Sequence, residues 1–141
     1  MSANLPSISI AHQVDFFDVD SYRIVWHGSY IKYFEIVRCA LLDKIDYNYN
    51  DMEASGYFFP VVDLQIKYLQ PIRFRQQITL TATIKEWQHK LVIQYLIYDR
   101  ETQQKLTKAT TTQVAVAMPG EVLQFESPAI LINKINQHLK S

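Results

Sequence analysis

Between residues 28 and 45 the apolar positions recur at helical spacing. Ile31, Phe34, Val37, Leu41 and Ile45 follow one another at steps of 3, 3, 4 and 4, which places them on one face of an α-helix. Lys32 and Asp43 lie elsewhere on the wheel, and Glu35 and Arg38, three apart, can pair. Asp46 to Asn50 breaks the run. Asn50 is placed to cap a short second helix, with Glu53 three residues on and Gly56 near its end.

Elsewhere the period is two. Residues 8–17 read as a first strand. Val62, Leu64, Ile66 and Tyr68 alternate with Asp63, Gln65 and Lys67, which predicts a strand with one buried face, ended by Pro71. Ile78, Leu80, Ala82 and Ile84 alternate in the same way, as do Leu91, Ile93, Tyr95 and Ile97. Gln88-His89-Lys90 is the expected turn between those two, and 99–104 is a further polar turn. Residues 105–117 are rich in threonine and valine, and Met118-Pro119-Gly120 stops them. Ser127 and Pro128 read as the N-cap and first residue of a terminal helix bearing Leu131, Ile135 and Leu139 on one face.

One long early helix followed by long antiparallel strands predicts an α+β fold in which a curved antiparallel sheet wraps the helix. The 141 residues suit a single domain over 1–141. With 48% hydrophobic and 13% aromatic residues, a substantial core is expected. Exposed strand edges in such a sheet call for protection, and edge-to-edge dimerisation supplies it.

Charge and cysteine content narrow the classes. The 14 basic and 14 acidic residues cancel, which argues against a general nucleic-acid binder. No apolar run approaches the roughly 20 residues of a membrane span. The first residues carry neither a basic start nor an apolar core, so no secretory signal is expected. The one cysteine, Cys39, has no internal partner, which fits a reducing cytoplasm and a buried small hydrophobe rather than a nucleophile.

The chemistry concentrates in DVDSYRIVWHGSY, residues 18–30. His27 or Gly28 begins the long helix, where the first amides have no partner within the helix. With the helix dipole they favour negative charge and can hold an oxyanion. Asp20 lies in the loop leading into them, where a carboxylate can attack a carbonyl carbon or activate a water. The bland alternative is a pair of solvated turn carboxylates. No further acidic or histidine cluster has ligand spacing, so no metal is expected. No nucleophile elbow, P-loop or dinucleotide fingerprint is present, so no cofactor is expected either.

The stretch VDFFDVDSYRIVWHGSYIKYFE, with the later IKEW turn and the strand VVDLQIKYLQP, resembles the hotdog-fold acyl-CoA thioesterases, in particular the 4-hydroxybenzoyl-CoA thioesterase and YbgC-like group. The likeness covers roughly residues 10–118. It implies a hotdog fold, a long central helix wrapped by an antiparallel sheet, paired into homodimers and often homotetramers. It also implies hydrolysis of an acyl thioester, on coenzyme A or an acyl-carrier protein, to a free acid and a thiol. Asp20 matches the family's catalytic carboxylate, as nucleophile or general base. His27 matches the residue whose backbone N–H contacts the oxyanion, with Gly28 beside it, and its imidazole assists or orients. Asp18 matches a less essential position, a turn carboxylate. Tyr30, Phe34 and Val61 are candidates for the acyl pocket, and simple core packing explains each equally well. His89 and Lys90 fall where the family binds the carrier, and a solvated turn is the alternative. One departure stands out: Tyr22-Arg23 occupies the place of the family's usual glycines. It leaves room for a second reading, a weakly active or non-catalytic acyl-thioester-binding protein.

Overall fold

The computed structural model describes residues 4–140. Strand β1 (Ser7–Gln13) leads through a 3-10 turn at Phe16–Asp18 into helix α1 (His27–Lys44) and the short α2 (Tyr49–Ala54). Strands β2 (Tyr57–Phe58), β3 (Val61–Tyr68), β4 (Gln77–Glu86), β5 (Leu91–Asp99), β6 (Lys105–Gln113), β7 (Val116–Ala117) and β8 (Val122–Leu123) follow, and α3 (Ala129–Lys140) ends the chain. The main sheet is antiparallel with order β1-β4-β5-β6-β3. A small sheet of order β2-β7-β8 stands beside it. This is the hotdog arrangement of one helix against an antiparallel sheet.

Helix α1 lies against β1 and β4. It buries Tyr30, Tyr33, Phe34, Val37, Leu41 and Leu42 against the inward residues Ile78, Leu80, Ile84, Ile93 and Tyr95. Such side chains each stabilise the fold by roughly 1.5–3 kcal/mol when fully buried. The helical face is rotated from the expected one: Ile31 is half exposed, because two buried tyrosines, Tyr30 and Tyr33, complete the apolar stripe instead.

Other expectations are corrected. The first strand ends at Gln13 rather than 17, because the 3-10 turn intervenes. Asn48, not Asn50, caps α2; its side chain accepts from the Asp51 amide and Asp51 reciprocates at the Asn48 amide. Strand β3 has no buried face, since it is the sheet's edge. Residues 105–117 divide into two strands in different sheets. Leu139 stays partly exposed, whereas Leu131 and Ile135 are buried.

A buried cluster ties the centre of α1 to its surroundings. Arg38 Nε donates to Tyr49 Oη at 2.8 Å and Nη1 to Tyr95 Oη at 3.2 Å. Nη2 donates to Glu35, the pair expected from their spacing. Tyr95 Oη also shares a hydrogen bond with Thr111 Oγ1 at 2.8 Å. Helices α1 and α2 and strands β5 and β6 therefore meet at one guanidinium.

Candidate active site

Two tight turns connect β1 to α1, and they treat the two aspartates oppositely. In the 3-10 turn the Asp18 amide donates to the Asp15 carbonyl at 3.0 Å, and the Asp15 amide returns to Asp18 Oδ2 at 3.2 Å. This rolls the Asp18 side chain inward, where it is fully buried. Lys32 Nζ donates to its Oδ1 at 2.7 Å and Tyr33 Oη to its Oδ2 at 2.8 Å. His12 Nε2 lies 3.9 Å from Oδ2 and is itself buried without a hydrogen-bond partner. Burial alone would raise the Asp18 pKa, but the hydrogen bonds from Lys32, Tyr33 and Asp15 and the Lys32 charge outweigh it and hold the carboxyl below its ordinary 3.8. A carboxylate lowered in this way contributes stability above that ordinary value and loses it as pH falls through the folded one. His12, Asp15 and Asp18 offer ligand atoms within 4.8 Å of one another, but the Lys32 ammonium already supplies the positive charge there.

The second turn presents Asp20 to solvent. Val19 and Val25 form an antiparallel bridge, closed by Ser21, Tyr22 and Arg23. The Asp20 amide donates to the Ile24 carbonyl and the Arg23 amide to the Asp20 carbonyl, each at 2.9 Å. A three-residue hairpin loop of this kind needs its last residue in the left-handed region, usually glycine. Arg23 takes that conformation itself, with φ 63°. Thus the loop closes without glycine, at a cost of roughly 1–2 kcal/mol for a side chain in that region. Asp20 Oδ1 accepts from the Tyr22 amide at 2.8 Å and the Ile24 amide at 3.3 Å. Its orientation is set by these bonds, while Oδ2 has no hydrogen-bond partner among the described residues.

Asp20 lines a cleft of about 370 Å³ with Phe16, Val19, Ser21, Arg23 and Phe74. Arg23 forms no ion pair with Asp20 and acts as a wall of this cleft. Arg23→Gly is therefore expected to raise stability by about 1 kcal/mol through release of the strained conformation. It should also widen this cleft and shift its preference toward bulkier ligands. Thermal melts and a series of ligands of graded size read both effects, and an unchanged preference would remove Arg23 from the cleft's selectivity.

Helix α1 begins at His27 with no side-chain cap. The His27 and Gly28 amides have no hydrogen-bond acceptor among the described residues, so the helix start keeps free donors. Its approach is pinned on both sides: the Val25 amide donates to the Ile72 carbonyl at 2.8 Å and the Trp26 amide to the Asp18 carbonyl at 3.2 Å. The Trp26 indole lies over Gly28 so closely that a Cβ there would sit 2.1 Å from the ring. A side chain at 28 would displace the half-exposed indole from this position.

His27 lines a second cleft, about 350 Å³, with Ile24, Val25, Tyr30, Tyr68, Leu69, Gln70 and Pro71. Tyr30 stands edge-on to Tyr68, ring centres 4.9 Å apart. Within one chain, then, Asp20 and His27 occupy neighbouring clefts separated by the 24–25 backbone, not one. Phe34 is buried against Tyr95, centroids 4.8 Å apart, and is core. Val61 is at the far end of β3 from Tyr68, about 23 Å along an extended strand, so one chain does not unite it with Tyr30. His89 and Lys90 are exposed in the β4–β5 turn. The ten residues of β4, about 33 Å of strand, separate that turn from the Asp20 end of the same chain.

Sequence reasoning missed the depth of Asp18 and its partners. Lys32 and Tyr33 are 14 and 15 residues away, and no local pattern signals such a contact. His12 is equally remote in pattern, an isolated polar residue in a strand.

Comparison with known proteins adds the family. The model described as "Thioesterase-like superfamily" matches residues 14–127. The chain is 30% identical over 105 residues to the Bacillus subtilis protein named "Putative acyl-CoA thioesterase YneP", covering 74% of this chain and 75% of that one. Among solved structures it is similar to Slr0204, a 1,4-dihydroxy-2-naphthoyl-CoA thioesterase from Synechocystis. The TM-score is 0.82 at 20% identity, over 92% of this chain and 96% of that one. It is also similar to the hypothetical protein TT1821 of Thermus thermophilus, with TM-score 0.80 at 25% identity over 92% and 97%.

Proposed function

The chain belongs to the thioesterase-like superfamily and is a thioesterase, and we propose that it hydrolyses acyl-CoA, or the same acyl thioester on a carrier protein, with Asp20 as the reacting carboxylate. The observation that carries this reading is the Asp20 side chain itself. One oxygen is clamped by two amides and the other is free at a cleft wall, and the unpaired donors at the start of α1 belong to the neighbouring cleft, across the 24–25 backbone. The carboxylate attacks the thioester carbon or deprotonates the attacking water. The His27 and Gly28 amides receive the charge that develops on the carbonyl oxygen, and a donor so placed is worth about 3–4 kcal/mol in the transition state. In the first route thiolate departs and leaves a mixed anhydride, whose cleavage by water frees the acid and Asp20 and supplies the thiolate's proton. In the second the proton taken from water passes to the departing thiolate and the acid is released directly. The left-handed Arg23 lets the loop close in place of the family's glycines, so that substitution does not favour a non-catalytic protein.

The active species is a homodimer that pairs further into a tetramer. Its support is β3, an edge strand with Val61, Val62, Leu64 and Tyr68 exposed; a bare apolar edge of this length invites a second strand. Association also offers a way for His89, Lys90 and Val61 of one copy to approach the clefts of another. Incubation with a panel of acyl-CoAs and acyl-carrier proteins, following thiol release, tests the activity, and sedimentation equilibrium tests the assembly. Thiol release from at least one acyl-CoA by a dimer or larger species is expected. No release across the panel would overturn the substrate reading, and a fully active monomer would overturn the assembly.

A further inference from the structure

The position of Asp18 exceeds the needs of a turn carboxylate. Its side chain joins three elements: His12 of β1 stands 3.9 Å away, the Asp15 amide of the 3-10 turn donates to it, and Lys32 and Tyr33 reach it from the second turn of α1. Its backbone reaches a fourth point, because its carbonyl accepts the Trp26 amide. Asp20 follows two residues later, and the free His27 amide follows Trp26 directly. The carboxylate is fully buried, so water offers no substitute for the bonds it makes. We infer that Asp18 is a positioning residue for thioester hydrolysis, the anchor that holds the Asp20 turn and the amides of His27 and Gly28 in their relative placement.

The inference rests on the proposed roles of Asp20 and those amides. Asp18 has no access to substrate; it acts through the backbone on either side. A shift of the 3-10 turn would move the Val19–Val25 hairpin at one end and Trp26 at the other. Misplacement of reacting groups by an ångström costs on the order of 10²-fold in rate. Lys32 offers a gentler handle than Asp18, since its side chain is half exposed and its loss removes one bond without emptying the core.

The test compares Asp18→Asn and Lys32→Met with the parent chain at a temperature where all three are folded. Two readouts are used: steady-state hydrolysis of an accepted acyl-CoA, and amide hydrogen exchange followed by NMR. For Asp18→Asn, kcat is expected to fall at least tenfold with KM within twofold; for Lys32→Met, about threefold in the same direction. Exchange of the Tyr22, Ile24 and Trp26 amides should quicken at least tenfold in Asp18→Asn, while amides of β4 and β5 stay within twofold. A purely structural role would quicken all of these together, or leave kcat of the folded enzyme at the parent value, and either result overturns the inference. Should the parent hydrolyse no acyl-CoA, the functional reading fails by itself. The exchange pattern then still decides: selective loosening at 22, 24 and 26 supports the anchor, and its absence refutes it.

Discussion

Asp20→Asn is expected to lower kcat by roughly 10²–10⁴-fold, the range supplied by a positioned acid–base group, with little change in thermal stability. The fold should tolerate it for a specific reason. Asp20 is exposed, and its structural duty is to accept the Tyr22 and Ile24 amides through Oδ1. An asparagine carbonyl oxygen can accept both, so the turn keeps its shape. What asparagine lacks is the charged second oxygen, the part to which the proposed mechanism gives the attack on the thioester carbon or the proton from water. Measurement is by thiol release under saturating acyl-CoA, with a melt on the same samples. Hydrolysis by the variant at the parent rate would remove Asp20 from the chemistry. Collapse of the melt would mean that the turn depends on the charge, which the two amide bonds argue against.

The largest expected effect on stability belongs to Arg38. Arg38→Ala should cost about 3 kcal/mol, the lower end for breaking a buried charged cluster. With a chain of this length, that lowers Tm by roughly 10 °C. The guanidinium side chain is only 7% exposed and gives bonds to Tyr49, Tyr95 and Glu35. Its removal leaves a void among α1, α2 and β5 and takes from Tyr49 its hydrogen-bond partner. The cost stays at the lower end because Glu35 is half exposed and returns to water, and because Tyr95 keeps Thr111. Arg38→Met, which refills the space with an apolar stem, should lose about half as much, since packing and hydrogen bonding then separate. Thermal melts of the two variants check this; a shift under 2 °C for Arg38→Ala would show that the cluster adds no stability.

The elements most visible in the sequence are those with uninterrupted periods. Helix α1 differs from its expected span by one residue at each end, and strands β4 and β5 contain the alternating runs that predicted them. Period-two patterning failed for β3. Alternation shows that a strand has two unlike faces, but not that a second layer covers one of them, and β3 lies at the uncovered edge. The short strands β7 and β8 span two residues each, too few for any period to register. Arg23 was legible as an anomaly, a bulky residue where glycine is usual; its left-handed backbone was not, since that follows from closure of the Val19–Val25 hairpin.

By itself the sequence determined the α+β class, the long helix and the hotdog likeness, and it singled out residues 18–30 as the candidate site, because each depends on local pattern or on motif. It told Asp20 from Asp18 by motif alone, since local pattern gives only two carboxylates one residue apart that an extended strand would point the same way. The tertiary structure supplied the physical difference. The 3-10 turn at 16–18 breaks the alternation, rolls Asp18 under Lys32 and Tyr33, and leaves Asp20 at the tip of the next turn. Partners fourteen residues away, brought close by the docking of α1 on β1, bury one aspartate and leave the other exposed, the division from which the two proposed roles start.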